Sequence, residues 1–413
     1  MLAPDDIARE YLLLALRLDH HVTGLVDGYF GPAALKASVD TGQLRPPARL
    51  ADDARRLRST VQDEVVEPDR RDWLIGQLVA LETQAAALAG DALPYEEYVA
   101  RCFAFAPPRR PDSEFDEAAV ILDGALPGDA SLTDRLAAWD DRLVVPVDRL
   151  PPVIDWLVAR FRTRASDDFG LPDGEDLRVS LVTDQPWSGY NWFEGGRRSR
   201  VDINTDLPVR ATDLIHTIAH ETYPGHHLEH AWKEADLVDT RGRLEATVLL
   251  INTPECLISE GLADLGRRFA VREGEAVPLL AELLDRAGLE VASSPAAARE
   301  TAERAVAISD ARARLAAIRG NAALMRHADG AGHDEVQAYL ERVGRYTPTH
   351  AAKRLEFIEH PLWRTYVFVY AEGEALLARW LETVPEPERA ARFGRLLHEQ
   401  LSPGAILREL DPG

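Results

Sequence analysis

The stretch AHETYPGHHLEH, from Ala219 to His230, sets four histidines and two glutamates around a proline–glycine pair in twelve residues. Both flanks read as helix, but the centre cannot. Pro224 has no N–H to give to the carbonyl of His220, and Gly225 tolerates dihedrals that other residues avoid. A core helix gains nothing from such a pair in its middle, which costs on the order of 3 kcal/mol or more. Whatever fold the chain adopts must hold a broken helix at a point crowded with imidazoles and carboxylates.

The surrounding residues give that break a use. His220-Glu221 opens as a His-Glu-x-x-His zinc-binding helix opens, where two imidazoles four residues apart lie about 40° apart on one face. Position 224 is proline, so the second ligand must come from elsewhere. His227 returns to nearly the same angle but lies roughly 10.5 Å along the axis. His226 sits about 240° round on an ideal helix and serves only if the helix is interrupted. A two-residue bulge at Tyr223-Pro224 or Pro224-Gly225 would bring it back, so His226 is the expected partner of His220 and His227 its rival. Glu221 then stands beside the ion without binding it, as a base that takes a proton from an attacking water.

A third ligand is expected from the segment NTPECLISEGLADLGRRFA, residues 252–270. Thr253 can cap this helix and Pro254 fits its first position. Cys256, Glu260 and Asp264 share one face at four-residue steps. Glu260 is the expected ligand, and Asp264 an orienting partner for an imidazole. Gly261 and Ala263 are small, as close packing against the metal helix requires. Farther on, Tyr366 and Tyr370 lie four apart on one helical face and could donate to an oxyanion. His327, His333, His350 and His360 are further candidate donors.

Elsewhere the chain reads as mainly α. Ile7, Tyr11, Leu14 and Leu18 keep helical spacing, and helices are expected near 49–65, 69–91, 93–105, 115–123, 130–141 and 148–165. DGYFGP at 27–32 reads as a turn. Near 166 the texture changes: VSLV and SRVDIN carry β signals, with EGGRRS as the hairpin loop between them. The reading is therefore a helical lobe, 1–165, and a lobe with a small sheet and the metal-binding helices, 166–413, expected as parts of one body. The 413 residues carry 69 acidic against 47 basic side chains, net −22. Such a surface repels nucleic acid and anionic membranes, and neither is expected as a partner. Two cysteines make no disulfide framework. MLAPDDIARE lacks the basic and apolar regions of a signal peptide, and the apolar runs are too short for a bilayer, which points to the cytoplasm.

With these motifs in hand, AHETYPGHHLEH followed by SEGLADLG resembles the domain-of-unknown-function family 885, a branch similar to the gluzincin metallopeptidases. LDHHVTGLVDGYFGP, SRVDINTDLP and YAEG extend the resemblance over most of the chain. It implies a helical, thimet-oligopeptidase-like basin with Zn(II) on His220, His226 and Glu260, water in the fourth position and Glu221 as general base. Tyr370, in a family-like Tyr-x-x-Gly, becomes the preferred oxyanion donor. Glu-Gly-Leu-Ala stands where the family commonly has Glu-Gly-Trp-Ala, which alters the pocket. The strand RSRVDINTD, ending at Asn204, is expected to pair with substrate backbone, as an edge strand does in related peptidases. Arg197 and Arg198, with Arg200, could grip a substrate carboxylate. The expected activity is zinc-dependent hydrolysis of short peptides. The alternatives are an amidohydrolase acting on a modified amino acid or small metabolite, and a silent metal-binding scaffold. A His/His/Glu set also accepts Mn(II) or Co(II); the sequence does not give the oligomeric state.

Overall fold

The computed structural model describes residues 4–185 and 187–411. Proline punctuates the chain into its helices. Pro47, Pro68, Pro254, Pro295, Pro348 and Pro403 each open one, at the position where a missing N–H costs nothing. Hydroxyls finish several of these starts: Thr253, Ser294, Thr347 and Ser402 accept from the backbone N–H three residues on. In the first helix, Pro4–Asp19, the expected stripe of Ile7, Tyr11, Leu14 and Leu18 is buried. The mainly α reading holds, and one connected core runs from Ile7 to Ile406. No helix among the described residues is long and apolar enough to cross a membrane.

Among the described residues five short strands interrupt the helices: β1 (Val26–Tyr29), β2 (Asp176–Val182), β3 (Gly189–Gly195), β4 (Arg198–Asn204) and β5 (Val248–Leu250). β1 pairs antiparallel with β5, so part of DGYFGP, read as a turn, is strand. The other three form a sheet in the order β2-β4-β3. β4 runs parallel to β2 and antiparallel to β3. Two expectations are corrected here. The hairpin joins β4 to β3, a strand the sequence reading did not separate, through a turn in which Gly195, Gly196 and Arg197 all take positive φ. β4 is also the centre of the sheet rather than an edge. Its backbone pairs on both sides, which explains why Asp202 and Asn204 are buried along with Val201 and Ile203.

Three helices build the floor beside β3: Ala211–Glu221, His226–Lys233 and Pro254–Ala270. A fourth, Val369–Glu382, lies across the last of them. That crossing is a backbone contact. A Cβ on Gly261 would stand 2.4 Å from the Gly373 carbonyl carbon, and one on Gly373 would stand 2.4 Å from the Leu257 oxygen. The small residue at 261 therefore admits the tyrosine-bearing helix, not the histidine helix as expected. Gly266 does the latter job, with Pro224 Cγ 3.3 Å from where its Cβ would be.

Candidate metal centre

The break at Pro224 is a two-residue insertion in the helical ladder. The Gly225 N–H reaches the Ala219 oxygen and the Leu228 N–H the Thr222 oxygen, each six residues back instead of four. The Tyr223-Pro224 peptide is cis. Normal spacing resumes with the Glu229 N–H on the Gly225 oxygen. Gly225 is obligatory because the chain folds onto the helix end it has just left: a Cβ there would sit 1.8 Å from the His220 oxygen. Inserting two residues gives His226 the place that position 224 would have held.

As a result His220 and His226 face each other, ring centroids 4.7 Å apart and planes perpendicular. Glu260 reaches between them. Its Oε2 lies 3.5 Å from His220 Nε2 and its Oε1 lies 3.5 Å from His226 Nε2. One ligand atom from each of the three residues falls within 4.8 Å of the others. All three are largely buried, and Glu260 Oε2 has no hydrogen-bond partner. A buried carboxylate oxygen without a donor, facing two imidazole nitrogens, is what a cation would satisfy.

The outward nitrogens are held. His220 Nδ1 is 2.9 Å from Asp264 Oδ1, which fixes the ring with Nε2 inward. His226 Nδ1 lies 3.3 Å from Ser259 Oγ. Ser259 in turn donates to Glu229 at 2.6 Å, and the same carboxylate receives Lys233 at 2.7 Å. Tyr366 donates to Glu260 Oε1 at 2.7 Å, so it orients that carboxylate. Tyr370 lies near His220, with ring centroids 6.3 Å apart.

The electrostatics favour positive charge. Burial opposes a charged His226, but Glu260 and Glu229 outweigh it and push the imidazole up to about 10. His220 is likewise raised, with Asp264 and Glu260 overcoming burial. Burial would also raise Glu260, yet the two imidazoles hold its carboxyl far below the usual range. A divalent cation would take the place of those imidazole protons. Glu221 goes the other way: burial raises its pKa, with Glu260 and Asp27 adding to the rise against the two histidines. That is the direction a general base needs. Its carboxylate lies along the end of β3, with Oε1 3.5 Å from the Cβ position of Gly189.

The remaining expected residues lie elsewhere. His227 is fully buried and turned away, with Nδ1 at 2.9 Å from Ser199 Oγ and Nε2 at 2.9 Å from Glu175 Oε2. Arg197 is paired with Asp239, and its backbone N–H binds Glu234. Arg197 and Arg198 sit at the turn end of the β3–β4 hairpin, while Glu221 lies by Gly189 at its other end. Six residues of strand, roughly 20 Å, separate the two ends. Asn204 is near the right end but donates to the Gln185 and Trp187 oxygens at 2.9 Å each, so it fastens a loop. The structure thus does not bring Arg197, Arg198 or Asn204 to the histidine pair.

Sequence reasoning missed Asp27 and Tyr190. Asp27 is exposed on β1, and it acts electrostatically on Glu260 and His226. Tyr190, on β3, hydrogen-bonds to it. DGYFGP, quoted for its likeness to a family, held the signal for Asp27. Nothing in GYNWFEG marked Tyr190.

No family model matches the chain, and no curated protein does. Among solved structures it is similar to a protein described as a "putative lipoprotein" from Colwellia psychrerythraea, at 13% identity and a TM-score of 0.51, over 88% of this chain and 66% of that one. A "putative lipoprotein of unknown function" from Shewanella oneidensis matches at 11% identity and a TM-score of 0.46, over 90% of this chain and 75% of that one. This chain spans just under two thirds of the length of the first, and that likeness is one of fold.

Proposed function

We propose that this chain is a metal-dependent peptidase acting on short peptides, with zinc held by His220, His226 and Glu260. One observation carries the reading: two imidazoles oriented from behind converge with a buried, partly unpartnered carboxylate, and a second carboxylate, Glu221, stands next in sequence to the first imidazole. A scaffold that only bound a cation would have no use for Glu221. The resemblance of both motifs to family 885 points the same way.

When bound, the ion supplies a Lewis acid that makes a water acidic and a carbonyl electrophilic. The rest belongs to the chain. Glu221 accepts the proton of the attacking water and returns it to the leaving amine, helped by the burial that raises its proton affinity. Asp264 and Ser259 keep both imidazoles in the tautomer with Nε2 free. Tyr366 fixes the angle of Glu260. Tyr370, with its ring 6.3 Å from that of His220, is the phenol assigned to donate to the oxyanion. β3, as the exposed edge next to Glu221, takes the backbone-pairing role expected of β4.

The test is turnover of a mixed short-peptide library, read by mass spectrometry, for zinc-loaded protein and its Glu221→Gln variant. The expected result is hydrolysis by the parent and a loss of at least about a hundredfold in the variant, with metal retained. Cleavage of N-acyl amino acids but not of peptides would replace the reading with an amidohydrolase. Bound metal without turnover of either would replace it with a scaffold.

A further inference from the structure

The helix His226–Lys233 carries a second set of metal-ligand side chains, which the centre above does not use. His226 and His230 stand four residues apart, the ordinary spacing for two imidazoles on one helical face, and Glu229 shares that face. The two rings stack, with centroids 5.7 Å apart and planes 5° from parallel. One ligand atom from each of His226, Glu229 and His230 falls within 4.8 Å of the others, as in the set of His220, His226 and Glu260. His226 Nδ1 is 3.6 Å from Glu229 Oε2, whereas its Nε2 is 3.5 Å from Glu260 Oε1. One imidazole thus offers a nitrogen to each set. Both sets are two imidazoles and a carboxylate, so donor chemistry does not tell an ion which to occupy.

What separates them is a charge. Lys233 follows Glu229 by one turn and gives its ammonium to Glu229 Oε1 at 2.7 Å. Ser259 donates to the other oxygen at 2.6 Å, so both oxygens of Glu229 are taken, while Glu260 keeps one without a donor. Lys233 also meets Glu255, whose Oε2 receives the Trp73 indole N–H at 2.5 Å. The ammonium is buried between the two carboxylates. Burying a lysine is costly, and the chain does it once: Lys36 and Lys353, its other lysines, are exposed. A lysine brings a compact charge, closer in shape to a metal ion than the planar fork of an arginine. His230 and Lys233 line one small cavity together with Glu255 and Gln400.

We propose that Lys233 is a resident cation that closes the set of His226, Glu229 and His230 and so confines the metal ion to the Nε2 side of His226. The inference rests on the metal centre of the proposed peptidase and adds the residue that decides where its ion sits. With the ammonium in place, a second cation beside Glu229 meets like charge and a carboxylate already satisfied. Without it, Glu229 and Glu255 lose their shared cation beside two imidazoles, and a divalent ion is the group that satisfies them.

The experiment is zinc content by mass spectrometry after dialysis against trace zinc, starting from Glu260→Gln, in which the centre itself is disabled. Glu260→Gln should hold no zinc. Adding Lys233→Met should give about one ion per chain, and adding His230→Ala to that pair should remove it again. Should the Met variant not fold, Lys233→Gln keeps a donor for Glu229, removes the charge and should admit zinc in the same way. No zinc in either lysine variant, or zinc that survives His230→Ala, overturns the proposal. The parent is read beside them. A parent without zinc would sink the metal-peptidase reading, while zinc gained with Lys233→Met and lost with His230→Ala would still uphold the role of Lys233. Zinc in the parent, with both lysine variants of Glu260→Gln free of it, would do the reverse.

Discussion

His226 and His227 are neighbours in sequence, leave the same backbone turn, and end in opposite surroundings. His227 enters a closed set: Ser199 and Glu175 take its two nitrogens, while Tyr223 at 2.5 Å and Arg162 complete the carboxylate. His226 enters an open set, in which Glu260 keeps an oxygen that nothing satisfies. The first arrangement is complete with protein atoms alone; the second is not. The difference teaches that hydrogen-bond accounting separates a histidine closed by protein partners from one left open to a cation where burial and sequence spacing do not.

The comparison breaks most completely at the turn that creates it. Gly225→Ala should deny both histidines their places, because the new Cβ would meet the His220 oxygen at 1.8 Å. The expected outcome is loss of metal uptake and a fall in stability of about 3 kcal/mol or more, read by thermal unfolding. A variant with parental stability and metal content would mean the turn relaxes more readily than its contacts imply.

His227→Ala should cost about 3 kcal/mol, since it leaves Glu175 buried beside Tyr223 without its imidazole donor. Chemical denaturation measures this, and a change below about 1 kcal/mol would show that the closed set contributes little to the fold. Asp264→Asn sharpens the open side. It keeps the shape behind His220 but weakens the hold on its Nδ1–H, and metal affinity should fall about ten- to a hundredfold in a chelator competition. Unchanged affinity would remove Asp264 from the centre.

The smallest effect is a pH dependence. Burial would raise Glu175, but hydrogen bonds from His227, Tyr223 and Arg162 win and hold it at about 2, below the ordinary 4.5. A depressed carboxyl contributes stability that is present above its unfolded value and is lost as pH falls through the folded one. The loss should therefore run from about pH 4.5 down towards pH 2 and amount to about 2 kcal/mol, allowing for solvent at the Arg162 side. Glu175→Gln should flatten that part of the acid-stability curve; an identical curve would place the acid sensitivity elsewhere.

Much of this was legible before the structure, where the cause is local. The start of the helix Pro254–Ala270 followed from Thr253 and Pro254, and the break followed from Pro224-Gly225. Glu260 and Asp264 followed from four-residue steps on a capped helix. What stayed hidden depends on partners distant in sequence. β4 reads as a half-buried strand by alternation and as an edge through the resemblance, and only β2 and β3 on its two sides make it central. Arg197 looks free until the fold brings Asp239 to it. Gly261 announced a close approach, but its spacing pointed to the metal helix, and the true partner, Gly373, is more than a hundred residues away.

The most direct test of the central claim is the zinc content of the purified parent chain beside His226→Ala, His227→Ala and Glu260→Gln, by mass spectrometry after dialysis against trace zinc. The account predicts about one ion per chain in the parent and in His227→Ala, and none in the other two. Retention by His226→Ala together with loss in His227→Ala, or no zinc in the parent, would contradict it.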